Sequence, residues 1–187
     1  MKRNVRNLVI ILLIILFIFF ILFKVIKIQD KILAMFYKKE YNEYVEQYSK
    51  KYGVDENLIY SIIKNESKYD ANAVSSSEAK GLMQIMDNTV KDIANGIEEL
   101  EYNTIDIFDP ETNIHLGTNY IAELLNKYNS VVPIAIAAYN AGIGNVDKWI
   151  ENGIIQEDGS NIENIPFKET NIYVRKVLRD YKIFGEL

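Results

Sequence analysis

The stretch NLIYSIIKNESKYD, residues 57–70, puts Ile59, Ile62, Ile63 and Glu66 at i, i+3, i+4 and i+7 of one helical face. Three of the four are typical of a buried stripe, and the fourth is a carboxylate. A carboxylate taken out of water needs a cation, hydrogen bonds to its charged form, or retention of its proton, in which case its pKa rises. A carboxyl that still holds its proton near neutral pH is a general acid. The plainer alternative is a Glu in the frayed last turn of its helix, facing solvent.

Other chemistry is scarce. With no Cys there is neither a disulfide framework nor a thiol nucleophile, and one His cannot build a Cys/His zinc cluster, so neither metal nor cofactor is expected. That residue, His115, falls about 100° off the stripe of Ile114, Gly117, Ile121, Leu124 and Leu125, which predicts a partly exposed helical position.

Four short stretches widen the view: ES at 66–67, GLMQIM at 81–86, AYNAG at 138–142 and PFKETNIYVRKV at 166–177. In order and approximate spacing they resemble the four motifs of the lytic transglycosylases, a family similar in fold to goose-type lysozyme that cleaves the glycan strands of peptidoglycan. DPETNIHLGTNYIAELL, residues 109–125, also looks like the family's helix between its second and third motifs, and the resemblance covers roughly residues 43–184. It implies that Glu66 is the catalytic acid and that Tyr173 stands beside it and orients it. It further implies that Ser75, Gln84, Met86, Tyr139 and Asn140 hold N-acetylated sugars. In isolation Met83 and Met86 read as core packing and a Tyr in a short helix as structural.

Glycoside cleavage ordinarily uses two carboxylates. The matching motifs offer no obvious second one. The resemblance implies why: the same Glu66, once deprotonated, takes a proton from the muramic acid C6 hydroxyl, which closes on C1 to leave a 1,6-anhydromuramyl end. A hydrolytic muramidase and a glycan-binding module without turnover are the competing readings. Two positions depart from the family pattern. Glu78 stands where Gly is common, which strains the loop if the position needs positive φ or adds a carboxylate near the groove, and Asp87 stands where Pro often follows.

The elements that must position these residues are helical. Tyr41, Tyr44, Val45 and Tyr48 share a face of a first helix closed by Gly53, and Asp55 caps the helix carrying Glu66. A loop follows from Ser67 to Lys80, then a helix with Asp87 or Asn88 as cap. Asp109 with Pro110 starts a helix to about Tyr128, Gly142 ends a helix of small residues, and NVDKWI adds a turn or two. Thr170 is a candidate cap for the last helix, whose buried face takes Tyr173, Val177, Tyr181 and Phe184. No strand pattern of any length occurs. The expected fold is mainly α, a lysozyme-like helical domain behind a single N-terminal transmembrane helix.

That N-terminal segment is uniformly Leu, Ile, Val or Phe from Leu8 to Phe23, longer than the roughly 7–15 apolar residues of a cleaved signal, and no convincing cleavage site follows it. The chain therefore divides into a basic cytoplasmic end (1–7), a signal anchor (8–26), a basic and aromatic juxtamembrane linker (27–42) and a catalytic domain (43–187). Basic residues flank the span on both sides, so charge does not orient it, and the chemistry argues for a catalytic domain outside the cytoplasmic membrane. Residues 1–39 hold eight basic and one acidic residue, net +7, which leaves 13 basic and 25 acidic in 40–187, net −12. So acidic a domain is a poor nucleic-acid binder, whereas the basic stretch suits anionic lipid headgroups. The expected partners are peptidoglycan strands and the membrane, and the sequence names no protein partner.

Overall fold

The computed structural model describes residues 2–94, 96–97 and 102–187, with the side chains of 2–6, 8–11, 26, 29–32 and 34 outside the description. Two compact units result, Met1–Lys38 and Lys39–Leu187. The first is one helix, α1 (Lys2–Phe36), whose described apolar side chains from Leu12 to Phe23 are all exposed. Among the described residues no helix is long and apolar enough to cross a membrane, and the expected span at 8–26 falls partly on side chains outside the description.

The second unit is built from seven helices among its described residues: α2 (Asn42–Tyr52), α3 (Glu56–Glu66), α4 (Asp87–Ala94), α5 (Pro110–Lys127), α6 (Val132–Ala141), α7 (Ile143–Glu151) and α8 (Lys168–Glu186). Their ends follow from the residue types. Gly53 closes α2 at φ 68°, with its N–H on the Ser49 carbonyl. Asp55 accepts from the Asn57 N–H at the start of α3, and Asp109 from the Thr112 N–H at the start of α5, where Pro110 follows. The packing runs α3 on α8, α2 on α5, and α6 against α5, α7 and α8. Between α3 and α8 the core is Ile59, Ile62, Ile63, Val174, Val177 and Phe184, each no more than 1% exposed.

Four expectations about helix detail need correction. Thr170 is buried inside α8 rather than capping it; Phe167 occupies the cap position without a side-chain bond. Tyr181 is only half-buried, its hydroxyl donating to Asp55 at 2.9 Å, while Asp180 is the fully buried residue of that turn. Asp87 lies inside α4, and its carboxylate pairs with Lys80 at 2.8 Å. His115 is buried at 5% exposure because α2 covers the face the stripe left open: its ring stacks on Tyr48 at 4.2 Å and lies 2.6 Å from the Tyr52 hydroxyl.

The segment between α3 and α4 is shaped by two isolated bridges, Val74 with Lys80 and Lys80 with Ile85, a tight hairpin-like fold rather than a sheet. Buried Asn113 of α5 bolts it down. Its Oδ1 accepts from the Met83 N–H at 2.7 Å, and its Nδ2 donates to the carbonyls of Lys80 at 3.1 Å and Ile107 at 2.9 Å. Gly81, at φ 76°, passes so close that a Cβ there would lie 2.1 Å from Asn113 Nδ2. No side chain fits at this crossing.

Glu78 sits in this segment at φ 65°, the left-handed region that costs an L-residue about 1–2 kcal/mol. Its side chain is exposed, so little offsets that strain. Glu78→Gly relieves it but gives the unfolded chain about 0.4–1 kcal/mol of extra entropy. The net expectation is a gain of about 0.5 kcal/mol, read as a small rise in the urea midpoint at unchanged slope.

Candidate active site

Glu66 is the last residue of α3, where the buried Ile59–Ile62–Ile63 stripe runs out at the edge of an open groove. Its side chain is half-buried. Tyr173 reaches it from the facing helix α8, donating its hydroxyl proton to Glu66 Oε1 at 2.5 Å. Burial pushes the Glu66 carboxyl up to about 7; the Tyr173 hydrogen bond works in the opposite direction, and the negative field of Glu169 adds a smaller upward push. Half the population is then protonated near neutral pH. Burial also raises the Tyr173 and Tyr139 phenols well above their ordinary value, so both remain neutral donors.

The groove has two lobes of ≈ 670 and ≈ 470 Å³ that share Glu66, Ser75, Gln84, Asn140 and Glu169. The larger adds Tyr173, and the smaller adds Met86 and Tyr139. All seven residues singled out in the sequence therefore converge on one cleft. They divide by how much hydrogen-bonding capacity the fold has already used.

Gln84 is held at φ 49°, and its Nε2 donates to the carbonyls of Ala73 at 3.0 Å and Gly81 at 2.8 Å. Its Oε1 has no partner among the described residues and is available to an amide donor. Ser75 Oγ accepts from the N–H groups of Ser77 at 3.2 Å and Ala79 at 3.0 Å, which shapes the loop and leaves the hydroxyl proton to donate. Tyr139 donates its hydroxyl to the Met83 carbonyl at 2.8 Å, so it offers a ligand its ring rather than its O–H. Asn140 has neither amide group bonded to another side chain or to backbone among the described residues. Met86 is 47% exposed at the rim, whereas Met83 is fully buried against Gly117, so only the second methionine faces the groove.

Glu169 is a groove residue that the motif pattern does not single out. It lines both lobes and stands four residues before Tyr173, a spacing that places the two on one face of α8. The signal is present in KETNIY. Phe167, 48% exposed, also lines the smaller lobe and stacks edge-on against Trp149 at 5.1 Å.

Residues 43–160, most of the helical unit, match the family described as Transglycosylase SLT domain. The chain belongs to that family. It is 33% identical over 140 residues to the soluble lytic murein transglycosylase of Escherichia coli strain K12, a match covering 74% of this chain and 22% of that protein. It is 39% identical over 125 residues to the membrane-bound lytic murein transglycosylase C of Salmonella arizonae, covering 60% of this chain and 34% of the relative. An inactive mutant of the lytic transglycosylase Slt from Pseudomonas aeruginosa superposes with a TM-score of 0.74 at 32% identity, over 82% of this chain and 25% of that one. The chain thus spans about a fifth to a third of the length of these relatives. The fold of this SLT domain is mainly helical, as the periodicity predicted, and lysozyme-like, as the family resemblance implied.

Proposed function

We propose that this SLT-family chain is a membrane-tethered lytic transglycosylase that cleaves the β-1,4 bond between N-acetylmuramic acid and N-acetylglucosamine and leaves 1,6-anhydromuramyl ends. The observation that carries the reading is Glu66: a carboxyl held near pKa 7 by burial, oriented by Tyr173, and open to a groove with unused amide and hydroxyl capacity. In the first step Glu66 gives its proton to the bridging oxygen as the C1–O bond breaks, and the positive charge that develops at C1 spreads onto the ring oxygen. In the second, the Glu66 carboxylate removes the proton of the muramic acid C6 hydroxyl while that oxygen bonds to C1. Glu66 ends protonated again, no water is consumed, and one carboxyl serves both steps.

Ser75, Gln84 and Asn140 supply donors and acceptors suited to N-acetyl and hydroxyl groups, and Met86 with the Tyr139 ring supplies an apolar surface for a sugar face. The competing hydrolytic reading draws on Glu169, the other carboxylate that lines both lobes among the described residues and a candidate base for an attacking water. Mass spectrometry of muropeptides released from purified peptidoglycan separates the two. Products one water lighter than their reducing counterparts are expected, and reducing ends alone would reject the transglycosylase reading in favour of a muramidase.

The anchoring half of the proposal is supported by the uninterrupted apolar run Leu8–Phe23 and by the 35-residue α1 that contains it. At 1.5 Å per residue α1 extends about 50 Å, against about 30 Å of hydrocarbon. The name of the Salmonella arizonae relative, a membrane-bound enzyme, is in keeping with it. Because the substrate lies outside the cell membrane, the catalytic domain (43–187) is placed there, with 8–26 as the single-pass anchor, 27–42 as linker and 1–7 in the cytoplasm.

A further inference from the structure

Glu78 and Asp87, the two positions at which the sequence departs from the family pattern, converge on one cation. Lys80 Nζ donates to Asp87 Oδ1 and Oδ2 at 2.8 Å each. That hydrogen bond raises the Lys80 ammonium above its ordinary pKa, and the negative field of Glu78 adds a smaller push in the same direction. Lys80 stands immediately before GLMQIM and Asp87 immediately after it, so the pair spans the neck of the segment that carries Gln84 and Met86. A second tie lies just inside the first: the Lys80 N–H donates to the Ile85 carbonyl at 3.1 Å, and the Ile85 N–H to the Lys80 carbonyl at 3.0 Å. Within these ties Gln84 is held at φ 49°, a conformation that a residue with a side chain adopts only where its surroundings impose it. Neither Lys80 nor Asp87 lines either lobe of the groove. Whatever they do for a bound sugar passes through the backbone of 81–86.

We infer that Lys80 and Asp87 are positioning residues, an ionic clamp that holds Gln84 and Met86 in the conformation that receives the substrate. The inference rests on the peptidoglycan reading above for the identity of that substrate. Asp87 is the first residue of α4, where Pro would fix φ covalently and give up only an N–H that the helix leaves unbonded. The clamp reaches the same end by charge, with Glu78 as a second, weaker acid at the same cation. It is therefore open to screening by salt, because the Lys80 and Asp87 side chains are 26% and 56% exposed.

Two measurements on the full-length protein test it. The first is KM for solubilised glycan strands at low and high salt. At low salt Asp87→Asn and Lys80→Met are expected to raise KM about threefold with kcat unchanged, whereas Asp87→Pro keeps the wild-type KM. Raising the salt brings the wild-type KM up to that of the Asn variant, each measured against Asp87→Pro at the same salt. The second is hydrogen exchange at the Lys80 and Ile85 amides, which needs no substrate: about threefold faster in Asp87→Asn at low salt and unchanged in Asp87→Pro. An unchanged KM in Asp87→Asn, or a loss confined to kcat, overturns the inference while leaving glycan cleavage standing. A wild-type protein that cleaves no glycan overturns the peptidoglycan reading, and the exchange rates then decide the clamp by themselves: equal rates in wild type and Asp87→Asn overturn it as well.

Discussion

Glu66→Gln is expected to lower kcat for peptidoglycan cleavage by about 10³-fold while leaving KM nearly unchanged, because a general acid–base group contributes about 10²–10⁴ to the rate. Gln keeps the size of the side chain and can still accept from Tyr173, but it can neither give a proton to the leaving oxygen nor take one from the C6 hydroxyl. The wild-type pH profile follows from the same group. On the proposed mechanism cleavage needs protonated Glu66, so with a pKa of about 7 the rate is expected to hold on the acid side of neutrality and to fall about tenfold per pH unit above it. Retention of substantial turnover in the Gln variant, measured by release of soluble muropeptides, would assign the acid elsewhere.

The substitution has a second effect of opposite sign. Glu66 has a higher pKa folded than the ordinary 4.5, so the native state binds the extra proton between about pH 4.5 and 7. Stability attached to this group is therefore fully present below pH 4.5 and is lost as pH rises through 7. A tenfold change in proton affinity corresponds to about 1.4 kcal/mol, so a rise from 4.5 to about 7 sets an upper limit of about 3.5 kcal/mol on the penalty of ionising the carboxyl in place. Solvent at the open side of the groove screens the charge and lowers that figure. Gln carries no such penalty. Urea unfolding should show the variant more stable than wild type at pH 8 and equal to it at pH 4.5, and an equal difference at both values would mean that burial does not raise the pKa.

The helical frame is legible in the sequence where local rules decide it. Asp55, Pro110, Gly53 and Gly142 punctuate helices as their chemistry requires, and the i, i+3, i+4 pattern locates the face that ends on Glu66. What is illegible depends on a second element. His115 looks half-exposed from its own helix, and only the arrival of Tyr48 and Tyr52 on α2 buries it. Asn113 reads as an ordinary polar helix residue, yet its three hydrogen bonds fix the segment that presents Gln84. At Glu78 the family pattern alone raises the question of strain, and the backbone does take positive φ there. The motifs name the site residues, but which of their polar atoms are already spent, as the Tyr139 hydroxyl is, emerges only from the fold.

Asp180 stands on the buried stripe of α8, seven residues after Tyr173 and three after Val177, where the sequence reading put Tyr181 instead, and Asp180→Ala is expected to destabilise the protein by about 3–5 kcal/mol, the range for breaking a buried ion pair from one side. The carboxylate is fully buried, and its partners include Lys64 Nζ at 2.7 Å, Asn65 Nδ2 at 3.0 Å and Arg179 at 2.7 Å. Removing it takes a 2.7 Å carboxylate partner from the Lys64 ammonium, which is only 20% exposed, and another from Arg179, which is 59% exposed and loses less. The loss should therefore be traceable to Lys64. Lys64→Met in the Asp180→Ala background is expected to recover part of it, since the half-buried ammonium that loses its carboxylate is removed as well, giving a coupling of more than about 1 kcal/mol in a double-mutant cycle of urea midpoints. The position also bears on catalysis. Asn65 is the residue before Glu66, and its Nδ2 bridges the Ser61 carbonyl and Asp180, so this buried set holds the last turn of α3 against α8 at the point where Glu66 meets Tyr173. On the proposed mechanism the acid is oriented by a bond between two helices, which requires those helices to be fixed to a fraction of an ångström. Asp180→Asn, which keeps an acceptor for Asn65 but gives up the charge, separates the two roles: it should lose stability while retaining more of the wild-type kcat than Asp180→Ala. Equal kcat in the two variants would show that the Asn65 contact does not position Glu66.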